Sequence, residues 1–372
     1  MMRKNKSSLG VHVSHDASVC QLTDGKIDWF IEEERLTRTK HDEFPYMSLT
    51  QSNISENIRK IQMSSLYEPH DIKETELFYK TATILVKKNL HNKYQNREFV
   101  NELEYESFPQ HHVFHAACGF YNSGFTRSAV LVVDGIGNPV NDLDEYKDLH
   151  EVESIYSCSY PNLFYLHAQN YTPTYLSGMQ KYDLTFGIGM VYNALSNYFG
   201  FGDFGSGKLM GLSAYGKPDK KIKPFLNPDG TLDTSLFYRT RYGIRLIPYD
   251  YIKYPESIKK FNFLDQKSKE AQIFCNLAYR LQEDFETYMI NLIKKTLEIT
   301  EENNIVLTGG CALNCVANYK YLEHLPKGVK LYVEPISTDA GTAIGLAKLD
   351  YYAATKSTTK HPLKTLYLGP ER

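Results

Sequence analysis

No stretch of the chain offers the roughly 18 consecutive apolar residues that a membrane-spanning helix requires. The opening MMRKNKSSLGVHV is basic but has no apolar core of signal-peptide length. Neither a membrane span nor a secretory leader is expected. Charge of one sign is also missing: 42 Lys and Arg stand against 44 Asp and Glu, for a net charge of −2. No global excess therefore draws the chain to nucleic acid, although a local patch still could. Cysteine is sparse. Cys20, Cys118, Cys158, Cys275, Cys311 and Cys315 are scattered, mostly in apolar runs, which suits reduced, buried thiols in a cytoplasm. Cys311 and Cys315 lack the second pair that a zinc site would need, and no short-period repeat is visible.

What is present is an ordinary globular composition, 42% hydrophobic over 372 residues. That length buries a large core and suggests two or three domains or one duplicated fold. LGVHVSHDASVCQLTDGKIDWFIEEERLTR reads as three strands, with Asp24-Gly25 as a hairpin turn between two alternating runs. Residues 47–63 and 75–98 have helical spacing. A helix is expected from His111, a buried strand in SAVLVVDGIG (128–137), further strands near 151–167, and a helix at 185–199. Residues 267–300 read as one long helix or two. NNIVLTGGCALNCVANYKYL and VKLYVEPISTDAGTAIGLAKLDYYA both read strand, turn, helix. The alternation argues for an α/β fold. An early strand ends near Asp16 and a later one at Asp134, each beside a turn, as a duplicated actin-like nucleotide-binding fold would show.

FPQHHVFHAACGFYNSG (108–124) clusters three histidines. His111 and His115 share a helix face and can chelate one ion, while His112 points elsewhere. Capping and core packing are the bland alternative. The zinc-protease form is excluded, because Val113 and Phe114 supply no general base. Two imidazoles rarely suffice, so a metal needs carboxylates from elsewhere. Asp134 ends an apolar strand, where a buried charge is costly unless paired. Asp339 precedes a helix and reads equally as an N-cap. Two histidines and two aspartates suit iron(II), manganese or zinc better than calcium.

The turns at Gly135 and Gly137, and at Gly309 and Gly310, can bring backbone amides to phosphate or ribose. GDFGSGKL (202–209) imitates a phosphate loop, but Leu209 replaces the Ser or Thr that would hold magnesium, and the preceding segment reads as helix. Lys208 can still meet an anion. EEERLTRTKHDEFP (32–45) crowds Arg35, Arg38, Lys40 and His41, either a solvated edge or a cationic clamp. FYRTRYGIRLIPYDYIKY (237–254) interleaves basic and aromatic residues, as base stacking or an amphipathic strand pair would.

Eight segments in order, GVHVSHDASVCQL, EEERLTRTKHDEFP, HHVFHAACGFYNSGF, LVVDGIG, GKLMGLSAYGKP, TGGCALNCVAN, EPISTDAGTAIGLA and LYLGP, resemble the NodU/CmcH-type O-carbamoyltransferases nearly end to end. The transferase domain of that family is similar to tRNA threonylcarbamoyltransferases. The resemblance implies an α/β, duplicated actin-like (ASKHA, RNase H-like) nucleotide-binding fold in two lobes. Lobe I would span about 1–127 and lobe II about 128–365, with an insertion or cap at about 217–262. It also implies an iron(II) ion held by His111, His115, Asp134 and Asp339; it assigns no role to His112, for which support of that site is one reading.

The implied reaction moves a carbamoyl group from carbamoyladenylate, made from ATP and carbamoyl phosphate, to an acceptor hydroxyl. Lys40 would offset developing charge. Gly135, Gly137, Lys208, Gly309, Gly310, Asn314 and Asn318 would hold the nucleotide. His15, Asp16 and Asp219 remain alternative bases. Members typically continue into a YrdC-like domain that makes the adenylate; the chain stops where that domain would begin, so a separate YrdC-like protein is one expected partner and a second copy in a homodimer another. The acceptor is a sugar or secondary metabolite, or a hydroxymethylated base such as 5-hydroxymethylcytosine in DNA. Composition rich in Lys, Asn, Ile and Tyr suggests an AT-rich genome and the cytoplasm of a bacterial or phage-infected cell. Rival readings are a tRNA threonylcarbamoyltransferase-like enzyme and a non-catalytic nucleotide-binding subunit.

Overall fold

The computed structural model describes residues 6–66, 72–94, 103–107, 110–139, 149–173, 186–240, 243–247 and 269–370. The chain opens with three antiparallel strands, β1 (Ser7–Val13), β2 (Ser18–Thr23) and β3 (Lys26–Glu32). Leu9, Val11 and Val13 alternate onto one face of β1 and join one core. Asp24 and Gly25 both take positive φ, 50° and 82°, in the two-residue turn whose twist matches its flanking strands. Two short helices follow, α1 (Glu34–Thr37) and α2 (Tyr46–Gln51), then β4 (Ile58–Ser65), α3 (Ile72–Tyr94) and β5 (Glu104–Ser107). β4 lies parallel to β1 and to β5, giving the order β3-β2-β1-β4-β5.

The helical expectation for residues 47–63 is corrected here. Only Tyr46–Gln51 is helical, and Ile58–Ser65 is a central strand. Leu49, Ile54, Ile58 and Ile61 fall near helical spacing, but Ile58, Ile61 and Met63 bury in the core as β4 pairs on both edges. Pairing with β1 and β5 outweighs a local pattern that spacing alone leaves ambiguous.

The second half repeats this plan. After α4 (His111–Ser123) come β6 (Arg127–Val133), β7 (Leu149–Ser159) and β8 (Leu163–Pro173), all antiparallel neighbours. Then follow α5 (Ile188–Tyr198), α6 (Ser206–Ser213), the hairpin β9 (Phe237–Thr240) and β10 (Gly243–Leu246), and α7 (Lys269–Thr300). The chain closes with β11 (Asn304–Thr308), α8 (Cys315–Tyr321), β12 (Lys330–Val333) and α9 (Gly341–Thr355). β11 is parallel to β6 and β12, so the order is β12-β11-β6-β7-β8. Both sheets therefore show three antiparallel strands flanked by two parallel ones, in the same sequence of use. This is the duplicated actin-like, RNase H-like α/β fold.

Burial explains the plan. β6 is buried on both faces: Ala129, Leu131 and Val133 enter one core, Val130 and Val132 another. The first is filled from α7, one continuous helix whose Phe274, Leu277, Ala278, Leu281, Phe285 and Met289 share a stripe. The second core lies between the sheets. There α4 rests on β6, β7, β11 and β12, while α9 rests on β1, β2 and β4, and the two helices run against each other. The helix after each half's last strand thus lies on the opposite sheet. A Cβ on Gly345 would sit 2.0 Å from the Phe114 carbonyl oxygen, so the bare backbone of α9 is what lets α4 come this close.

Candidate metal centre

The contact between α4 and α9 brings both helix starts to the ends of β1 and β6. β6 carries its apolar run into Asp134, 7% exposed. The first turn of α4 has no side-chain cap from Gln110. Its orphan N–H groups are instead met from the second half: Asn138 Oδ1 accepts from His111 N at 3.0 Å and Glu151 Oε1 from His112 N at 2.9 Å. This fixes the rotation of α4 and turns His111 and His115 inward, both fully buried.

Their Nε2 atoms lie 2.9 Å apart. Asp134 Oδ2 is 3.3 Å from that of His111 and 3.8 Å from that of His115. Asp339 Oδ1 is 3.3 and 3.4 Å from the same two atoms. The other Asp134 oxygen accepts from Gly310 N at 3.0 Å. One donor atom from each of the four residues lies within 4.8 Å of all the others. Donors about 2.1 Å from an ion stand about 3.0 Å apart in octahedral and about 3.4 Å apart in tetrahedral geometry, so the set fits a divalent transition metal. Among the described residues, the Nδ1 atoms of both histidines are buried without a hydrogen-bond partner.

The charge balance points the same way. Burial works against a charged His111, yet the Asp339 and Asp134 carboxylates override it and hold the imidazole up at about 10. Against the upward push of burial, the His111 hydrogen bond and the neighbouring His115 hold Asp134 down at about 2. His111 and His15 hold Asp339, equally buried, well below the usual carboxylate range. Two buried carboxylates demand positive charge, and a divalent cation supplies it in exchange for protons. The capping alternative for Asp339 is not what its side chain does: α9 has Ala340 at its N-cap position and no side-chain cap bond.

Beside these donors runs a line of side chains from the first half. His15 Nε2 is 3.3 Å from Asp339 Oδ2, though outside hydrogen-bond geometry, and its Nδ1 is 3.8 Å from Asp16 Oδ2. Asp16 Oδ1 is 2.7 Å from His41 Nδ1. Burial opposes a charge on His15, but Asp339 and Asp16 raise it to about 9. Lys40 adjoins this line in sequence and is exposed. His112 turns away from the donors. Its Nδ1 meets Ser154 Oγ at 2.7 Å, and burial keeps it neutral, down at about 4.

The remaining expected residues scatter more widely. Gly309 and Gly310 follow β11 beside Asp134, and Gly137 N donates to Glu151 O. Asn314 caps α8, accepting from Ala317 N, and exchanges two amide bonds with Gln282. Asn318 donates to Ala312 O, and its buried Oδ1 has no partner among the described residues. Lys208 is exposed on the first turn of α6, 5.9 Å from the Phe201 ring centre. Asp219 closes a turn onto Lys221 N and accepts from Asn276 on α7. In the basic-aromatic stretch, residues 241–242 and 248–254 lie outside the described residues, as does 248–262 of the expected insertion.

Sequence reasoning missed Asn138, Glu151 and Ser154, which hold α4 from across the core. It also missed His12, fully buried on β1 with its ring 6.3 Å from that of His111. Burial keeps His12 down at about 3. An N-cap slot occupied by Gln110, with no good capping residue, is the one hint that α4 must be capped from elsewhere.

Residues 71–348 match the family described as carbamoyltransferase N-terminus. The chain is 25% identical to the nodulation protein NolNO of Sinorhizobium fredii, covering all of this chain (100%) and 51% of that one. It is 26% identical to the nodulation protein NolO of Bradyrhizobium diazoefficiens, over 70% of this chain and 41% of that one. The chain spans about half the length of the curated relatives it matches. Among solved structures, HypF of T. kodakarensis superposes with a TM-score of 0.48 at 11% identity, over 94% of this chain and 48% of that one; at that level the likeness adds nothing to the strand order. No helix among the described residues is long and apolar enough to cross a membrane.

Proposed function

Because the chain belongs to the carbamoyltransferase N-terminus family, we propose that it transfers a carbamoyl group from carbamoyladenylate to an acceptor hydroxyl, breaking the carbamoyl–phosphate bond and releasing AMP. The observation that carries this reading is the buried set of two imidazoles and two carboxylates where α4 and α9 meet. His111, His115, Asp134 and Asp339 would hold a divalent ion; their mixed nitrogen and oxygen chemistry suits iron(II), manganese or zinc, and the family resemblance favours iron(II). Bound there, such an ion supplies Lewis acidity toward the carbamoyl oxygen.

The protein's own groups do the rest. Gly309 lies in the turn beside Asp134 and would offer its backbone amide to the nucleotide, whereas the amide of Gly310 is held by Asp134 Oδ1. Lys40 offsets the negative charge that develops as the hydroxyl attacks. Of the three candidate bases, His15 and Asp16 adjoin the donor set through Asp339, whereas the Asp219 carboxylate accepts from Lys221 N and Asn276 Nδ2. The proton of the acceptor hydroxyl is therefore assigned to the Asp16 carboxylate, since Asp339 and Asp16 hold His15 in its protonated form. ATP and carbamoyl phosphate are the source of the adenylate, made by a YrdC-like domain or a separate YrdC-like protein. The acceptor is a sugar or secondary metabolite, or 5-hydroxymethylcytosine in DNA.

The test supplies carbamoyladenylate to the iron-loaded chain with sugar acceptors and a hydroxymethylcytosine oligonucleotide, and reads products by mass. A gain of one carbamoyl group on an acceptor is expected. Nucleotide binding with no product on any hydroxyl would leave a binding subunit instead. Threonylcarbamoyl adenosine formed in tRNA would move the chain to the neighbouring activity.

A further inference from the structure

The segment between α5 and α6 does more than connect them. Phe201 N bonds Ser196 O at 2.9 Å, Ser196 Oγ bonds Gly202 O at 2.6 Å, and Gly205 N bonds Gly202 O at 3.1 Å. Asn197 Nδ2 reaches Asp203 Oδ1 at 2.7 Å. This pinned turn projects one apolar ring, Phe204, which stays 55% exposed. The ring lands on the first half of the molecule. It stacks face to face on His41, with centroids 4.0 Å apart and planes at 17°, and meets His15 edge-on at 5.2 Å.

The two residues at the far end of that contact are themselves unusual. Asp16 and His41 both hold left-handed backbone, with φ of 62° and 56°, a conformation that costs non-glycine residues. Their side chains meet at 2.7 Å, and Glu34 Oε2 takes His41 N at 3.1 Å. Backbone strain is thus spent on aiming Asp16 at His41 while His15 faces Asp339. An exposed phenylalanine from the opposite half then covers both imidazoles.

We propose that Phe204 is a positioning residue: it clamps the second half onto the His41–Asp16–His15 line and fixes the ring of His15 beside Asp339. The proposal rests on the metal-centre reading for its consequence but not for its geometry. Among the described residues the ring contacts of Phe204 are with His15 and His41, so its effect on the donors passes through those imidazoles. The ring has to be flat and broad to stack on His41; a branched aliphatic side chain would fill the space without a face.

The experiment uses the full chain with 15N-labelled histidine, comparing wild type with Phe204→Ala, Phe204→Leu and Phe204→Trp. Imidazole resonances and tautomers of His15 and His41 are followed, assigned with His15→Gln and His41→Gln. In Phe204→Ala and Phe204→Leu, His41 should lose its ring-current shift and the His15 signals should move and broaden. Phe204→Trp should restore both. Manganese uptake, measured as a probe of the donor set, should be unchanged in all three. Should Phe204→Ala fail to fold, Phe204→Leu gives the same reading. Wild-type His15 and His41 signals in a folded Phe204→Leu protein would overturn the proposal. A wild-type protein that takes up neither manganese nor iron would overturn the metal-centre reading instead, and leave the clamp to be judged by the imidazole signals.

Discussion

At the scale of single residues, chemistry at the donor set separates side chains that spacing treats alike. His111, His112 and His115 sit within five positions, yet two face the carboxylates and the third is tied to Ser154. His111→Ala or His115→Ala should abolish stable metal uptake, with metal affinity at least about 10-fold weaker by the usual sensitivity of such sites. Elemental analysis of purified protein checks this, and full occupancy in either variant would dismiss the assignment. Asp339→Asn is sharper. Asn caps helices about as well as Asp, and the Asp339 side chain caps nothing here. Helix content by circular dichroism should therefore stay constant while metal content falls.

At the scale of elements, the joint between α4, α9 and β12 holds a buried polar network that takes no part in the proposed reaction. Asn122 on α4 donates to Glu334 Oε2 at 3.1 Å and accepts from Lys348 Nζ on α9 at 2.7 Å. Lys348 also reaches His361 O at 3.0 Å, tying the chain after α9 to this joint. Burial pushes Glu334 from 4.5 up to about 7 and pulls Lys348 from 10.5 down to about 8. For the raised carboxyl the folded state keeps a proton that the unfolded state has lost. Its contribution is complete below pH 4.5 and disappears as pH rises through 7. The depressed lysine has the opposite sign, with a contribution present above 10.5 and lost as pH falls through 8. Glu334→Gln should flatten the acid side of this profile. Urea titrations at pH 5 and at pH 7.5 should show the gap between wild type and variant changing by about 2–3 kcal/mol. The helix contact itself tolerates no added bulk: Gly345→Ala should cost at least about 1–3 kcal/mol through overpacking against Phe114, read as a lowered denaturation midpoint.

At the scale of the whole molecule, the donors sit where the two halves interlock. α4 lies on the second sheet and α9 on the first, so an ion bound to His111, His115 and Asp339 bridges the joint between them. Binding there should stabilise the whole chain. Iron(II) or manganese at about 100 times its dissociation constant should add about 2.7 kcal/mol, seen as a higher melting temperature that a chelator reverses. The same addition to His115→Ala should leave the melting temperature unmoved.

The sequence by itself carried the α/β alternation, the hairpin at Asp24-Gly25, the long apolar stripe of α7 and the proposal of His111, His115, Asp134 and Asp339 as a candidate donor set. Each rests on short-range information: period, turn chemistry, a motif in order. It misread β4, because the spacing of Ile58 and Ile61 does not say which strands will flank them. It left Asp339 between cap and ligand, and it left His15, Asp16 and Asp219 equal. Only the tertiary structure decided what lies beside what. The packing of α9 onto the opposite sheet turns the Asp339 carboxylate toward His111 and His115 rather than onto its own helix. The turn at 200–205 brings Phe204 to His41. Asn138 and Glu151, which follow α4 in the chain, turn back to cap its first turn. Contacts between residues distant in the chain are chosen by burial and by the demand that buried charges be met, and no local pattern records that choice.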